Sequence, residues 1–276
     1  MITLSAFADE AAADLATQMD VLESVRVKAI DVRSIDGKNV STFTNEQAGQ
    51  YRRQMDDRGF RTACIGSPIG KIRLDEPMAP HMDALARCIE IAHIMGTPYI
   101  RVFSFFAPQG GDFTGARREV FDRLAMMLAA ARKGRVILLH ENEFDVYGRS
   151  ATECLDIMKT FGGDHFKFIF DPANLVVGGI KPYDEAWTQG LGDLTFWFHI
   201  KDAVKGEPHC CPAGKGQGQF DKIFADLKRR RWAGTMTIEP HMGAWGQFGS
   251  FSGQDLFKLA TTELQKLLDE YELDWQ

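Results

Sequence analysis

Val136-Ile-Leu-Leu-His-Glu-Asn-Glu143 sets four apolar residues, the first two β-branched, directly against four polar ones. An unbroken apolar run of this length is what a parallel strand covered on both faces requires, and the abrupt polar end marks where that strand surfaces. Three later runs finish in the same way. Phe168-Ile-Phe-Asp171, Phe196-Trp-Phe-His199 and Met236-Thr-Ile-Glu239 each put one ionisable residue at the carboxyl end of an apolar stretch. Four strands therefore offer four side chains of metal-ligand type.

Working outward, the same alternation of strand and helix runs through the whole chain. Upstream, Ile2 to Phe7 reads as a strand and Ala11 to Leu22 as a helix; Val27 to Arg33 and Asn45 to Arg58, introduced by Thr44, form a second pair. Phe60 to Ile65 with Pro80 to Met95 is the third, cut cleanly by Gly96-Thr97-Pro98, and Tyr99 to Phe103 with Arg117 to Lys133 the fourth. Downstream, a helix at Ala151 to Phe161 is followed by strands at Phe166 to Phe170, Leu194 to Phe198 and Gly234 to Ile238. These alternate with helices near Tyr183 to Gln189, Phe220 to Arg230 and Asp255 to Tyr271. Strict β–α alternation demands parallel strands with right-handed crossovers, and eight such units close most naturally into a barrel. The expected fold is α/β, a single-domain (β/α)8 TIM barrel over residues 1–276. A doubly wound sheet would carry a phosphate-binding Gly-x-Gly-x-x-Gly after its first strand, and Ala8-Asp9-Glu10-Ala11 has nothing of that kind.

Composition narrows the function classes. Of the 276 residues, 45% are hydrophobic and 25% charged, an ordinary globular balance, and the formal charge of −6 disfavours a dedicated nucleic-acid binder. The only basic run, Lys228-Arg229-Arg230-Arg231, follows an amphipathic segment and fits a solvated helix C-terminus favoured by the macrodipole. Five cysteines without Cys-x-x-Cys spacing fit a reducing compartment, with Cys64 and Cys88 packed as small hydrophobes and Cys210-Cys211 in a polar loop beside His209. No apolar run is long enough to cross a bilayer and the first residues lack a secretory pattern, so the expected location is the cytoplasm, with neither membrane nor nucleic acid as partner.

In a barrel the carboxyl ends of the strands meet at one mouth, which brings Glu141, Asp171, His199 and Glu239 together. Three carboxylates buried side by side repel strongly unless a cation lies among them, so a divalent ion is expected. Three oxygen donors with one imidazole form a harder set than zinc-selecting His and Cys groups; Mn²⁺ is favoured, with Mg²⁺, Co²⁺ or Zn²⁺ compatible.

Leu-His-Glu141-Asn-Glu, Phe-Asp171-Pro-Ala-Asn174-Leu, His199-Ile-Lys201-Asp202-Ala and Ile-Glu239-Pro, in this order, resemble the sugar phosphate isomerase/epimerase family of xylose-isomerase-like barrels. Its relatives include ketose 3-epimerases, hydroxypyruvate isomerases, inosose-processing enzymes and the endonuclease IV type of repair nuclease. The resemblance spans essentially the whole chain. It implies that Glu141, Asp171, His199 and Glu239 are the metal ligands and that Glu141 and Glu239 form the acid–base pair. The implied activity is isomerisation or epimerisation of a small ketose or related sugar, by proton abstraction through a metal-stabilised cis-enediolate. An inosose-type dehydratase and a non-catalytic carbohydrate-binding barrel are the alternatives. The acidic balance and the scarcity of His disfavour a repair nuclease with a trinuclear zinc site.

The chain departs from the epimerase pattern at Asn174, where a substrate-contacting His is common, and at Glu143, which follows Glu141-Asn142 where many relatives also have His. An amide hydrogen-bonds a hydroxyl but does not titrate. Lys201 is suited either to a substrate oxygen or to neutralising a carboxylate. Arg33 and Arg101 are suited to a sugar hydroxyl or phosphate, or to pairing inside the barrel. Gly214-Lys-Gly216-Gln-Gly218 resembles the family's Gly-x-Gly segment near the substrate, whereas its residues alone read as a turn; it lacks the Gly-Lys-Ser/Thr ending of a nucleotide loop. His140 should face away from the ligands by strand alternation, and His241 toward the mouth. Trp245, Phe248 and Phe251 fit an apolar wall or the contact of a homo-oligomer.

Overall fold

Every second residue of a strand points to the same side, and this period sorts the barrel into an interior and a helix-facing layer. In the computed structural model, which describes residues 1–246 and 249–276 and no side chain within 244–250, eight parallel strands close on themselves. They are β1 (Ile2–Ala6), β2 (Ala29–Val32), β3 (Arg61–Ile65), β4 (Tyr99–Val102), β5 (Ile137–Glu141), β6 (Phe166–Phe170), β7 (Thr195–Ile200) and β8 (Gly234–Ile238). Each pairs with its sequence neighbours, and β8 returns to β1, in register from Ile2↔Gly234 to Ala6↔Ile238.

Phe166, Phe168 and Phe170 of β6 turn outward onto the helices, and Phe170 packs edge-on against Trp187 and Phe198. Leu139, Ile169 and Trp197 turn inward and fill the barrel. His140 belongs to the outer set, as expected. It is fully buried, stacks on Phe166 and Phe168, and places Nε2 2.9 Å from Ser104 Oγ. Burial pushes this imidazole down to about 4, so it is neutral at pH 7.

Local chemistry sets the helix ends. Asp14 caps α1 (Leu15–Ser24), while Thr44 with Gln47 and Ser150 with Glu153 form capping boxes on α2 (Asn45–Asp57) and α5 (Ala151–Phe161). Between them, α3 (Met78–Met95) stops at Gly96, whose φ of 75° no β-carbon favours, and α4 (Arg117–Gly134) follows β4. The first helix thus begins later than its composition indicates, because Asp14 fixes its start and Ala8–Glu10 forms a separate 3₁₀ turn.

Two elements after β6 differ from the sequence reading. Pro172–Val177 is a short helix, α6, and Tyr183–Leu191 winds as a wider π-type turn, α7. Then α8 (Phe220–Arg230) and α9 (Gly253–Glu270) complete the outer layer. The basic end of α8 is spent on carboxylates, Arg229 and Arg230 on Asp226 and Lys228 on Glu272, as a helix C-terminus rather than a phosphate site.

The seam between β1 and β2 holds only the Ala6↔Ile30 pair. Below it, residues 274–276 supply the missing partners: Ile2 N–H donates to Asp274 O at 2.7 Å, Leu4 N–H to Gln276 O at 2.9 Å and Gln276 N–H to Ile2 O at 3.0 Å. Strand edges left open carry unpaired amides, and the chain end closes this one. No helix among the described residues is long and apolar enough to cross a membrane.

Candidate metal centre

Because β5 to β8 all expose inward residues at their carboxyl ends, Glu141, Asp171, His199 and Glu239 converge. Their nearest donor atoms all lie within 4.8 Å of one another, and none of the four residues is more than 2% exposed. His199 Nδ1 stands 3.0 Å from Glu141 Oε1 and 3.5 Å from Glu239 Oε2 without the alignment of a hydrogen bond. Neither ring nitrogen of His199 has a hydrogen-bond partner, and an imidazole set among carboxylates is a donor set that metals use. Asp171 is also the N-cap of α6: its Oδ1 accepts the Asn174 N–H at 3.0 Å, and Pro172 occupies the first helical position, where no donor is needed. Asn142 locks the ends of β5 and β6 by exchanging two hydrogen bonds with the Asp171 backbone, at 2.8 and 2.9 Å.

Charge counting tests whether an ion fits. The contiguous buried network holds the carboxylates of Asp9, Glu10, Glu141, Asp171 and Glu239 against the cations of Arg33, Arg101 and Lys201. Five carboxylates face three Arg and Lys cations, a deficit of two positive charges before the imidazoles of His199 and His241, which stand beside these carboxylates, are counted. The deficit shows in Asp171, which burial pushes up to about 7 against the pull of Lys201. Burial also opposes ionisation of Glu141 and Glu239, but His199 and Arg101 hold Glu141 down at about 2, and Lys201 and His241 hold Glu239 well below its usual range. The residues present therefore fit a divalent cation.

The other sequence candidates fall around this cluster in unequal roles. Arg101 Nη1 reaches Glu141 Oε2 at 3.3 Å and Glu239 Oε1 at 3.7 Å, while Arg33 reaches Asp9 at 2.8 Å, Glu239 Oε1 at 3.2 Å and Glu10 at 3.7 Å. Both arginines thus pair with carboxylates inside the barrel. Lys201 lies among the four clustered residues, on Asp171 and on Glu239 Oε2. Asn174 spends its amide on Glu141 Oε1 at 3.3 Å and Asn142 O at 3.0 Å, and Glu143 pairs with Lys71 at 2.8 Å. Gly216 N–H is committed to Asp202 at 2.9 Å, and a β-carbon there would stand 2.4 Å from Ala203 O. The Gly-rich stretch is thus tied to Asp202, a partner its resemblance does not assign to it. His241 faces the mouth with Nε2 3.3 Å from both Glu10 and Glu239. Phe251 is exposed, whereas Phe248 and the side chain of Trp245 lie outside the described residues.

Sequence reasoning passed over Phe7 and Glu10. Phe7 lies under both guanidinium groups, 4.7 Å from Arg33 and 4.8 Å from Arg101, and meets His199 edge-on at 5.1 Å. Glu10 is fully buried and accepts the His241 N–H at 2.8 Å and the Ser252 hydroxyl at 2.7 Å. The strand-end rule that marked the four clustered residues, applied to Ala8-Asp9-Glu10, points to this acidic pair.

A family model described as xylose isomerase-like TIM barrel matches residues 25–271. The chain belongs to that family. Among solved structures, this xylose isomerase-like barrel is similar to the probable 3-DHS dehydratase AsbF of Bacillus anthracis, at 14% identity over 96% of this chain and 98% of that one, with a TM-score of 0.73. It is likewise similar to IolI with a bound zinc atom (13%, 98% of each chain, TM-score 0.75) and to L-ribulose 3-epimerase (17%, 98% and 95%, TM-score 0.68). No curated protein matches by sequence.

Below the four-residue cluster, the next inward layer of this xylose isomerase-like barrel buries Asp31, which accepts from Ser5 Oγ and from Thr237 Oγ1, itself a partner of Trp197 Nε1. Burial pushes Asp31 up to about 6 despite these hydroxyls. An acid whose folded pKa lies above its unfolded value near 4 opposes folding once ionised. That opposition grows as pH rises from about 4 to 6 and is complete above, at about 3 kcal/mol. Asp31→Asn keeps the shape and cannot ionise. Its melting temperature relative to wild type should therefore climb between pH 4 and pH 6.5, and equal offsets at pH 4 and pH 8 would refute an elevated Asp31.

Proposed function

We propose that this chain is a divalent-metal-dependent isomerase or epimerase of a small ketose or related sugar, with Glu141, Asp171, His199 and Glu239 as ligands. The observation that carries the reading is the convergence of these four buried groups from consecutive strands. A divalent ion held there, Mn²⁺ by the donor set, supplies Lewis acidity toward a ketose carbonyl and its neighbouring hydroxyl.

The acid–base steps belong to the two glutamates. Glu141 turns Oε1 toward His199 and Oε2 away, and Glu239 turns Oε2 toward His199 and Oε1 away. The outward oxygen of each is the one to accept a proton from carbon, that of Glu239 by exchanging its contacts with Arg33, His241 and Arg101. One takes the proton and leaves an enediolate. Return of a proton by the other to the opposite face epimerises the centre, and delivery to the adjacent carbon isomerises the sugar. Arg101, shared between both outward oxygens, orients the pair.

The decisive measurement is deuterium wash-in. Mn²⁺-loaded protein incubated in D₂O with a panel of ketoses should incorporate deuterium at carbon for the accepted sugar, and absence of exchange across the panel would overturn the reading. An inosose-type dehydratase is the second reading, supported by the buried ammonium of Lys201 beside Asp171 and Glu239, a proton donor of the kind that departure of hydroxide calls for. A product lighter by one water selects it.

A further inference from the structure

Lys201 follows His199 by two residues, so strand alternation turns both side chains to the same interior. Lys201 is 4% exposed and its ammonium holds two oxygens, one of Asp171 and Glu239 Oε2 at 2.6 Å. These are the oxygens a metal would need. Asp171 Oδ1 is occupied by the Asn174 N–H, and Glu239 Oε1 faces Arg33 at 3.2 Å, His241 at 3.3 Å and Arg101 at 3.7 Å. Only Asp171 Oδ2 and Glu239 Oε2 remain to be shared, and Lys201 already bridges them.

We propose that Lys201 is an internal counter-cation that competes with the divalent ion for Asp171 Oδ2 and Glu239 Oε2, so that metal entry drives its ammonium off these oxygens toward the mouth. The inference rests on the metal reading of the four-residue cluster. An ammonium and a divalent ion on the same pair of oxygens repel at short range in a buried site, where screening is weak. Arg33 and Arg101 do not compete in this way, because they approach Glu239 from its outward oxygen and are anchored elsewhere, on Asp9 and on the carbonyls of Gly66 and Ser67. Lys201 carries its charge on a flexible four-carbon stem and is the cation able to leave. Two consequences follow: the metal-free cluster keeps part of its compensation, and the ion is held less tightly than its ligands alone would hold it.

The test measures metal affinity, not turnover. Metal-stripped wild type and Lys201→Met are titrated with Zn²⁺ by calorimetry. The variant should bind at least tenfold more tightly while its metal-free form melts at a lower temperature. A wild type that binds Zn²⁺ and a variant that binds no more tightly would overturn the role of Lys201 alone. A wild type that binds no Zn²⁺ would overturn the metal reading itself, separately from any question of substrate. Should Lys201→Met not fold, reductive dimethylation of wild type followed by peptide mass spectrometry decides the matter. Lys201 should be labelled several-fold more in the zinc-loaded protein than in the stripped one, and equal labelling would overturn the proposal.

Discussion

Glu239→Gln should abolish deuterium exchange and strip the protein of most of its metal while leaving a folded barrel. Glu239 Oε1 faces Arg33, His241 and Arg101, and Oε2 faces Lys201 and His199. Glutamine offers one acceptor and one donor. Whichever way the amide turns, an N–H meets either the ammonium or the guanidinium groups, and one full negative charge is lost from a network built around it. Removing one partner of a buried ion pair costs about 3–5 kcal/mol, and loss of a proton-transferring group slows turnover by roughly 10²–10⁴-fold. Circular dichroism separates loss of fold from loss of chemistry, elemental analysis reports the metal, and wash-in reports the proton. Glu143→Gln is the control, since Glu143 pairs with the partly exposed Lys71 and should change stability little. Full exchange by Glu239→Gln would remove Glu239 from the acid–base pair.

The barrel was legible because two simple patterns coincide on the same residues. Period-two alternation sends Leu139 and Glu141 inward together, and an apolar run that ends abruptly locates the mouth. Neither pattern sees partners contributed by distant strands. Phe7 reads as one more apolar strand residue, and its role depends on Arg33 and Arg101, which only closure of the barrel places above it. Lys201 was recognisable as a cation next to a candidate ligand, but its choice of Asp171 and Glu239 is a tertiary fact. Pro172–Val177 is too short to show helical periodicity, although Asp171-Pro172 is an N-cap followed by a first-turn proline, the local signal that could have marked it. Residues 274–276 carry no apolar alternation, and their place beside β1 follows from the open seam rather than from their own composition.

The loop that leads away from Lys201 provides a second large expected effect. Asp202 accepts four backbone N–H groups: Ala203 at 2.8 Å and Gly218 at 2.7 Å on Oδ1, Gly214 at 3.1 Å and Gly216 at 2.9 Å on Oδ2. One carboxylate thus gathers the ends and the middle of a glycine-rich turn, and Gly216 has no room for a β-carbon beside it. Asp202→Ala leaves those amides without their acceptor, and Asp202→Asn turns an NH₂ against two donors, so the isosteric change should cost nearly as much as truncation. Orphaned buried donors cost about 1–3 kcal/mol each, with some relief from water at this partly accessible loop. A loss near 4 kcal/mol, lowering the melting temperature by roughly 10 °C, is expected. Lys215 lies in the same turn with an exposed side chain, so tryptic cleavage after it should accelerate in both variants. Cleavage and melting unchanged from wild type would mean that the turn holds its shape without Asp202.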